Sequence, residues 1–185
     1  MKRFVLFTCL VCFAATFVRA QESETPAAEV GLTYSFVHRT NEQGHSGYSQ
    51  NGGSGYFEYN VTRMVGLVAD LGGYDSGKRD RQTLTYLFGP RLNWRMSRIT
   101  PYVQFLFGGA YEWGLIKSSG ISTTQNGFSL AAGGGVDINI THHIAVKPIQ
   151  LEYVMTQLPQ LASNLNSAQN NLRYSAGVVY RFGSR

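Results

Sequence analysis

From residue 29 onward the chain alternates apolar and polar positions with a period of two, the repeat of a β-strand whose two faces meet different surroundings. The clearest case is 171–182, where Leu172, Tyr174, Ala176, Val178, Tyr180 and Phe182 share one face and Arg173, Ser175, Gly177, Val179 and Arg181 the other. The same pattern predicts seven more strands, at 29–39, 56–61, 64–74, 82–93, 102–112, 128–138 and 144–156. Between them lie connections that alternate in length. Long polar segments at 40–55, 113–126 and 157–170 and a charged one at 75–81 read as loops; 62–63, 94–100 and 139–143 read as turns. Two local departures are expected. Pro90 has no N–H for the ladder, which predicts a bulge or an unpaired position there, and Gly133, Gly134 and Gly135 predict a sharp bend.

Eight strands with long connections at one end and short ones at the other predict an all-β fold, a closed eight-stranded antiparallel up-and-down transmembrane β-barrel. Period alone does not say which face is inside, but charge does. Glu58, Asp70, Arg91, Asp137, Glu152, Arg173 and Arg181 all lie opposite the aromatic face, and an Arg or Lys facing lipid near midplane costs about 2 to 4 kcal/mol. The charged face is therefore assigned to the lumen. Eight strands leave an interior just wide enough for side chains to fill. These residues, with Gln104, are expected to pair into a polar plug: Glu58, Arg91, Gln104, Asp137 and Arg181 in the lower half, Glu152 and Arg173 higher. Lys147 breaks the alternation, so a bulge at Lys147–Pro148 is expected to return it to the lumen and keep Ile144 and Val146 outside. Two aromatic belts are expected, Tyr59, Trp94, Tyr102, Tyr180 and Phe182 at the short-turn end and Tyr34, Phe36, Tyr111, Trp113, Tyr153 and Tyr174 at the loop end.

The first twenty residues stand apart. Lys2 and Arg3, an apolar run from Phe4 to Phe17, and Val18-Arg19-Ala20 form the pattern of a secretory signal peptide, with cleavage expected after Ala20. Residues 21–27 read as a periplasmic lead-in and 28–185 as the barrel domain. Both cysteines, Cys9 and Cys12, fall in the leader, and neither follows the small residue that lipidation needs, so the exported chain is expected to lack disulfides. Without Lys2, Arg3 and Arg19, 13 basic residues face 11 acidic ones, a balance too even to argue for nucleic acid.

On Leu67-Val-Ala-Asp-Leu-Gly-Gly73, Tyr86-Leu-Phe-Gly-Pro-Arg91, Tyr102-Val-Gln-Phe-Leu-Phe-Gly-Gly109, Ala131-Ala-Gly-Gly-Gly-Val-Asp137, Leu151-Glu-Tyr153 and the terminal strand, the chain resembles the small eight-stranded bacterial outer-membrane β-barrels of the OmpA-like and OmpX-like group. The resemblance spans 28–182 and does not extend to the peptidoglycan-binding domain that follows the barrel in full-length OmpA. Ser175, Gly177, Tyr180 and Phe182 resemble the C-terminal assembly signal of this group, although Gly183, Ser184 and Arg185 follow where many members end on the phenylalanine. The resemblance implies a monomer in the Gram-negative outer membrane, with outer-membrane lipid, lipopolysaccharide and the barrel assembly machinery as partners, and a structural or surface-interaction role through the loops.

The residues offer little chemistry. Some barrels of this shape resemble lipid A-modifying deacylases or acyltransferases, and a deacylase needs a His and a Ser together on the outer wall with a carboxylate orienting the His. His142 and His143 fall in a turn, His45 in a loop, and His38 at the outer rim with Thr40 as its nearest hydroxyl in sequence on the same face. No metal spacing and no phosphate-binding glycine loop is present, so neither an enzyme nor a cofactor is expected, and a lipocalin-like carrier would need an apolar lumen.

Overall fold

A computed structural model describes residues 25–39, 48–76, 81–116, 121–159 and 166–184. The expected leader and most of the lead-in lie outside them. Eight strands follow in order: β1 (Pro26–Arg39), β2 (Tyr48–Asn60), β3 (Val65–Ser76), β4 (Arg81–Asn93), β5 (Ile99–Ile116), β6 (Ile121–Asn139), β7 (Ile144–Pro159) and β8 (Asn166–Ser184). Each pairs antiparallel with its neighbours, and β1 pairs with β8 from Pro26↔Ser184 to Arg39↔Asn171, which closes the barrel and removes its edges.

Alternation sorts the side chains as the pattern predicts. Leu32 (64% exposed), Tyr34 (65%), Leu71 (59%) and Phe88 (55%) face outward, while Glu58, Ser35 and Lys147 are wholly buried. This inverts a soluble protein, which rarely exposes so continuous an apolar belt. No helix among the described residues is long and apolar enough to cross a membrane; the strands are the spanning elements.

The connections differ from expectation. β2 begins at Tyr48, within the segment read as a loop at 40–55, and the β5–β6 ladder runs out to Ile116↔Ile121 through 113–126. The segment 157–170 likewise pairs from Gln157↔Ala168 to Pro159↔Asn166. Only 40–47, 77–80, 117–120 and 160–165 separate the strands at this end. Gly, Ser and Asn lack the side chains that signal a strand, yet their backbone groups pair as well as any once a neighbouring strand supplies the register. A membrane needs strands of about 9–11 residues. β5, with 18, and β6, with 19, are long enough to carry the wall well beyond it.

The turns at the other end are short for a local reason. Thr62 Oγ1 accepts hydrogen bonds from the N–H groups of Met64 (3.2 Å) and Val65 (2.9 Å), and Thr141 Oγ1 accepts them from His143 (3.3 Å) and Ile144 (2.9 Å). At Pro90 the ladder to β5 passes from Phe88↔Phe107 to Arg91↔Gln104 without changing register, an unpaired stretch and not a bulge. The register does shift between Lys147 and Gln150 of β7 against β8, and between Val136 and Ile138 of β6 against β7.

Two inward tyrosines rest on glycines of the neighbouring strand. A Cβ on Gly31 would stand 2.1 Å from Tyr56 Cε1, and one on Gly135 would stand 2.6 Å from Tyr102 Oη. Glycine here makes room for a ring inside a narrow barrel. Tyr102 is one of those rings, so it leaves the aromatic belt in which it was expected: it shares the parity of Gln104 and is 2% exposed.

Candidate functional site

The densest concentration of polar chemistry lies inside the barrel, in three tiers. At the short-turn end Glu29 is the hub: its Oε1 accepts from Arg95 Nη2 (2.5 Å) and Asn60 Nδ2 (3.2 Å), and its Oε2 from Arg181 Nε (3.0 Å). Arg95 also donates to Asn60 Oδ1 (2.8 Å), and Arg181 to Asn139 Oδ1 (2.6 Å). Arg95 comes from the β4–β5 turn yet folds back into the mouth, where its side chain is 4% exposed.

In the middle tier Glu58 Oε2 binds Arg91 Nη1 at 2.7 Å and Glu58 Oε1 accepts from Asn93 Nδ2 at 2.6 Å. The Arg91 guanidinium packs against the rings of Tyr56 (4.7 Å) and Tyr102 (4.3 Å), a geometry in which the negative ring face stabilises the cation. Lys147 Nζ lies 3.0 Å from Asp137 Oδ1, donates to Tyr102 Oη at 2.6 Å, and sits 4.0 Å from the centre of that ring. Tyr102 passes the chain on by donating to Gln150 Oε1 (2.8 Å).

The upper tier is built on Glu152. Its Oε2 accepts from Arg173 Nε (2.7 Å) and Gln150 Nε2 (2.6 Å), and Arg173 Nη1 reaches Asp70 Oδ1 (3.2 Å) and Tyr74 Oη (2.6 Å). Gln104 joins the tiers, accepting from Arg91 Nε (2.8 Å) and donating to Glu152 Oε1 (2.7 Å). One connected path, Glu58–Arg91–Gln104–Glu152–Arg173–Asp70, thus crosses the interior. Hydroxyl pairs line the β1–β2–β8 side, Thr33 with Ser54 and Ser35 with Ser175, both at 2.8 Å.

The structure therefore places Glu58, Asp70, Arg91, Gln104, Asp137, Lys147, Glu152, Arg173 and Arg181 inside the barrel. It separates Arg181 from the middle tier, where sequence depth had put it, and joins it to Glu29. Sequence reasoning left out Glu29, Tyr56, Tyr74, Tyr102, Gln150 and Arg95. The first five carry the inward parity of their strands and were legible; Arg95 lies in a turn, where parity says nothing. The acids Glu29, Glu58, Asp70, Asp137 and Glu152 face the bases Arg91, Arg95, Lys147, Arg173 and Arg181, each in at least one ion pair. Such pairing offsets the desolvation that makes an isolated buried charge so costly.

The residues of the expected assembly signal are split by alternation. Ser175 is inside, Gly177 lets the backbone of β1 approach (a Cβ would stand 2.0 Å from Leu32 O), and Tyr180 and Phe182 face outward with their rings 6.2 Å apart. On the outer wall at the hairpin end, His38 is joined not by Thr40, which lies outside the described residues, but by its cross-strand partner Ser49, Nδ1 to Oγ 3.4 Å. His45 also lies outside them; His142 and His143 are exposed in the turn before β7. Among the described residues no cluster of His, Cys, Asp and Glu could hold a metal ion.

Residues 5–182 match the family model described as outer membrane protein beta-barrel domain. Among solved structures, the barrel is similar to Neisserial surface protein A, with a TM-score of 0.70 at 12% identity over 87% of this chain and 100% of that one. It is similar also to Ail, the attachment invasion locus protein of Yersinia pestis (0.52, 17%, 84% and 99%), and to the N-terminal β-barrel domain of Pseudomonas aeruginosa OprF (0.54, 16%, 83% and 97%). No curated protein matches the sequence. At these identities the structures speak to the fold.

Proposed function

The chain belongs to the outer-membrane β-barrel family, and from that premise we propose that it is a non-enzymatic barrel with a plugged interior, serving a structural or surface-interaction role at its extracellular end. The family places it in the outer membrane of a Gram-negative bacterium. The observation that carries the plug is the connected path Glu58–Arg91–Gln104–Glu152–Arg173–Asp70, closed below by Arg95 across Glu29. A channel needs a continuous column of water, and an eight-stranded interior filled by paired side chains has no room for one. What remains for contact with the outside is the wall of β5, β6, β7 and β8 beyond the membrane, and lipopolysaccharide is the surface it meets first. Ser175, Gly177, Tyr180 and Phe182 are proposed as the segment the barrel assembly machinery takes up, and the inserted barrel as a monomer. Planar-bilayer recording tests the plug: a quiet membrane after insertion supports it, and a large steady open current contradicts it.

One observation favours a second reading, an outer-leaflet lipid-modifying hydrolase: the His38–Ser49 pair on the outer wall. At 3.4 Å the contact is long for activating a hydroxyl, and no carboxylate of the described residues orients the ring, so the non-enzymatic role is preferred. Mass spectrometry of lipid A from cells with and without the protein separates the two. An altered acyl pattern, lost in His38→Ala, would establish the hydrolase.

A further inference from the structure

Glycine stands on the barrel wall for two different reasons. At Gly89 and Gly177 an added Cβ would lie 2.0 Å from a backbone oxygen of the neighbouring strand, so close packing leaves no alternative. At Gly53 the nearest atom would be Thr33 O at 3.1 Å, at Gly55 Leu32 Cδ2 at 3.5 Å, and at Gly73 nothing within 4 Å. These three glycines adjoin. Gly53 pairs with Gly73 across β2 and β3, and Gly55 follows on the same outward face of β2. Room is left over them that the barrel itself does not fill.

This bare floor has walls, an open end and a stop. Tyr34 pairs with Gly53 on one side and Leu84 with Gly73 on the other, so the floor is two strands wide at that level. One step toward the short turns it narrows to a single strand, because Gly55 lies between Leu32 and Leu71, both exposed. Those two side chains rise from strands about 9–10 Å apart, which leaves the width of one methylene chain between them. Phe57, exposed and next on the same face of β2, closes the narrow end. At the wide end stand Asn51 and Asp75, an exposed cross-strand pair whose polarity marks the level of the headgroups. A cavity of about 440 Å³ takes in Gly53 and Gly55 and continues between Leu32 and Tyr34 to Ala176 on β8.

We propose that this hollow binds an acyl chain of lipopolysaccharide. Its occupant comes from the hydrocarbon that bathes this wall, and its wide end opens at the level of the long connections, in the outer leaflet. Bare backbone lets methylenes pack directly on the peptide groups, and in lipid such close contact is what holds apolar partners together. A second barrel fits less well: it is convex, and its protruding side chains would meet Leu32 and Tyr34 before reaching the floor.

The site rests on the outer-membrane placement, and the experiment separates the two. The protein is purified from outer membranes in mild detergent, incubated with rough lipopolysaccharide and weighed by native mass spectrometry. One lipopolysaccharide per barrel is the expected result. Gly55→Leu/Gly73→Leu fills the hollow at the two positions where a side chain meets least, and it should bind about tenfold more weakly through the loss of a few methylene contacts. It is expected to migrate as a folded barrel on unheated gels; Gly73→Leu alone, expected to weaken binding in the same direction, serves where the double variant does not fold. Val103→Leu, exposed on the wall of β5, should bind as the unsubstituted protein does. A folded barrel that holds no lipopolysaccharide, that holds phospholipid in its place or that appears as a lipid-free dimer overturns the proposal, and so does undiminished binding by the filled variant. Recovery of the protein in the aqueous fraction, and not in outer membranes, would instead take down the placement.

Discussion

Lys147 Nζ lies 3.0 Å from Asp137 Oδ1, across the β6–β7 pair, at the place where the ladder slips by one residue. The slip and the ion pair explain each other. Without the slip, strict alternation from Ile149 would turn Lys147 toward lipid; with it, the ammonium reaches the interior, and Ile144 and Val146 stay on the wall.

Asp137→Asn removes the charge and leaves the ammonium buried. The expected loss is about 3–5 kcal/mol, the cost of an uncompensated buried charge. Asp137→Asn/Lys147→Met should recover most of it, because Met fills similar volume without a charge. Urea unfolding in vesicles, followed by tryptophan fluorescence, checks both; a double variant no more stable than the single one would show that the pair is not the issue.

Glu29→Gln leaves the Arg95 and Arg181 guanidiniums crowded at the mouth with no carboxylate between them. Like charges at close range repel, and Arg95, carried by a turn, is the one free to leave. Brief current events in planar bilayers are expected from Glu29→Gln and not from the unsubstituted protein, and Glu29→Gln/Arg95→Gln should be quiet again.

Gly31 and Gly73 make a contrasting pair. A side chain at Gly31 would meet the Tyr56 ring at 2.1 Å, whereas a Cβ at Gly73 meets nothing within 4 Å. Gly31→Val is expected to prevent recovery of the heat-modifiable folded form, with Gly31→Val/Tyr56→Ala restoring it. Gly73→Ala should unfold within about 0.5 kcal/mol of the unsubstituted protein, as surface changes do.

Phe107 and Ile144 test the depth of the wall. Both face outward, Phe107 in the middle of β5 and Ile144 at the start of β7 beside a turn. Phe107→Arg should cost about 2–4 kcal/mol and Ile144→Arg about 0–1, because the penalty falls toward the interface. Equal costs would mean that the wall is not graded by a bilayer.

Legibility in the sequence followed the physics of each element. Strand parity was written plainly because each face meets a uniform solvent, lipid outside and polar partners inside, so Leu172 and Arg173 could be sorted without a structure. The long hairpin walls were not, since residues such as Gly52, Gly53, Thr124 and Asn126 lie in polar, glycine-rich stretches whose pairing is decided by the facing strand and not by their own side chains. Arg95 was hidden for another reason: a turn has no parity, and only the closed barrel brings it over Glu29. Tyr102 was legible and misplaced, because an aromatic near a strand end suggested a belt while its parity with Gln104 pointed inside.

The central claim is that lipid surrounds the aromatic wall while ion pairs occupy the middle. Nuclear Overhauser contacts between acyl chains and methyl or ring groups, recorded in lipid nanodiscs, test it most directly. Contacts from lipid to Leu71, Phe107 and Val178, with none to Leu87, Leu106 or Val68, are the predicted result. Lipid contacts to Leu87 and Leu106, with Phe107 and Val178 seen only by water, would contradict it.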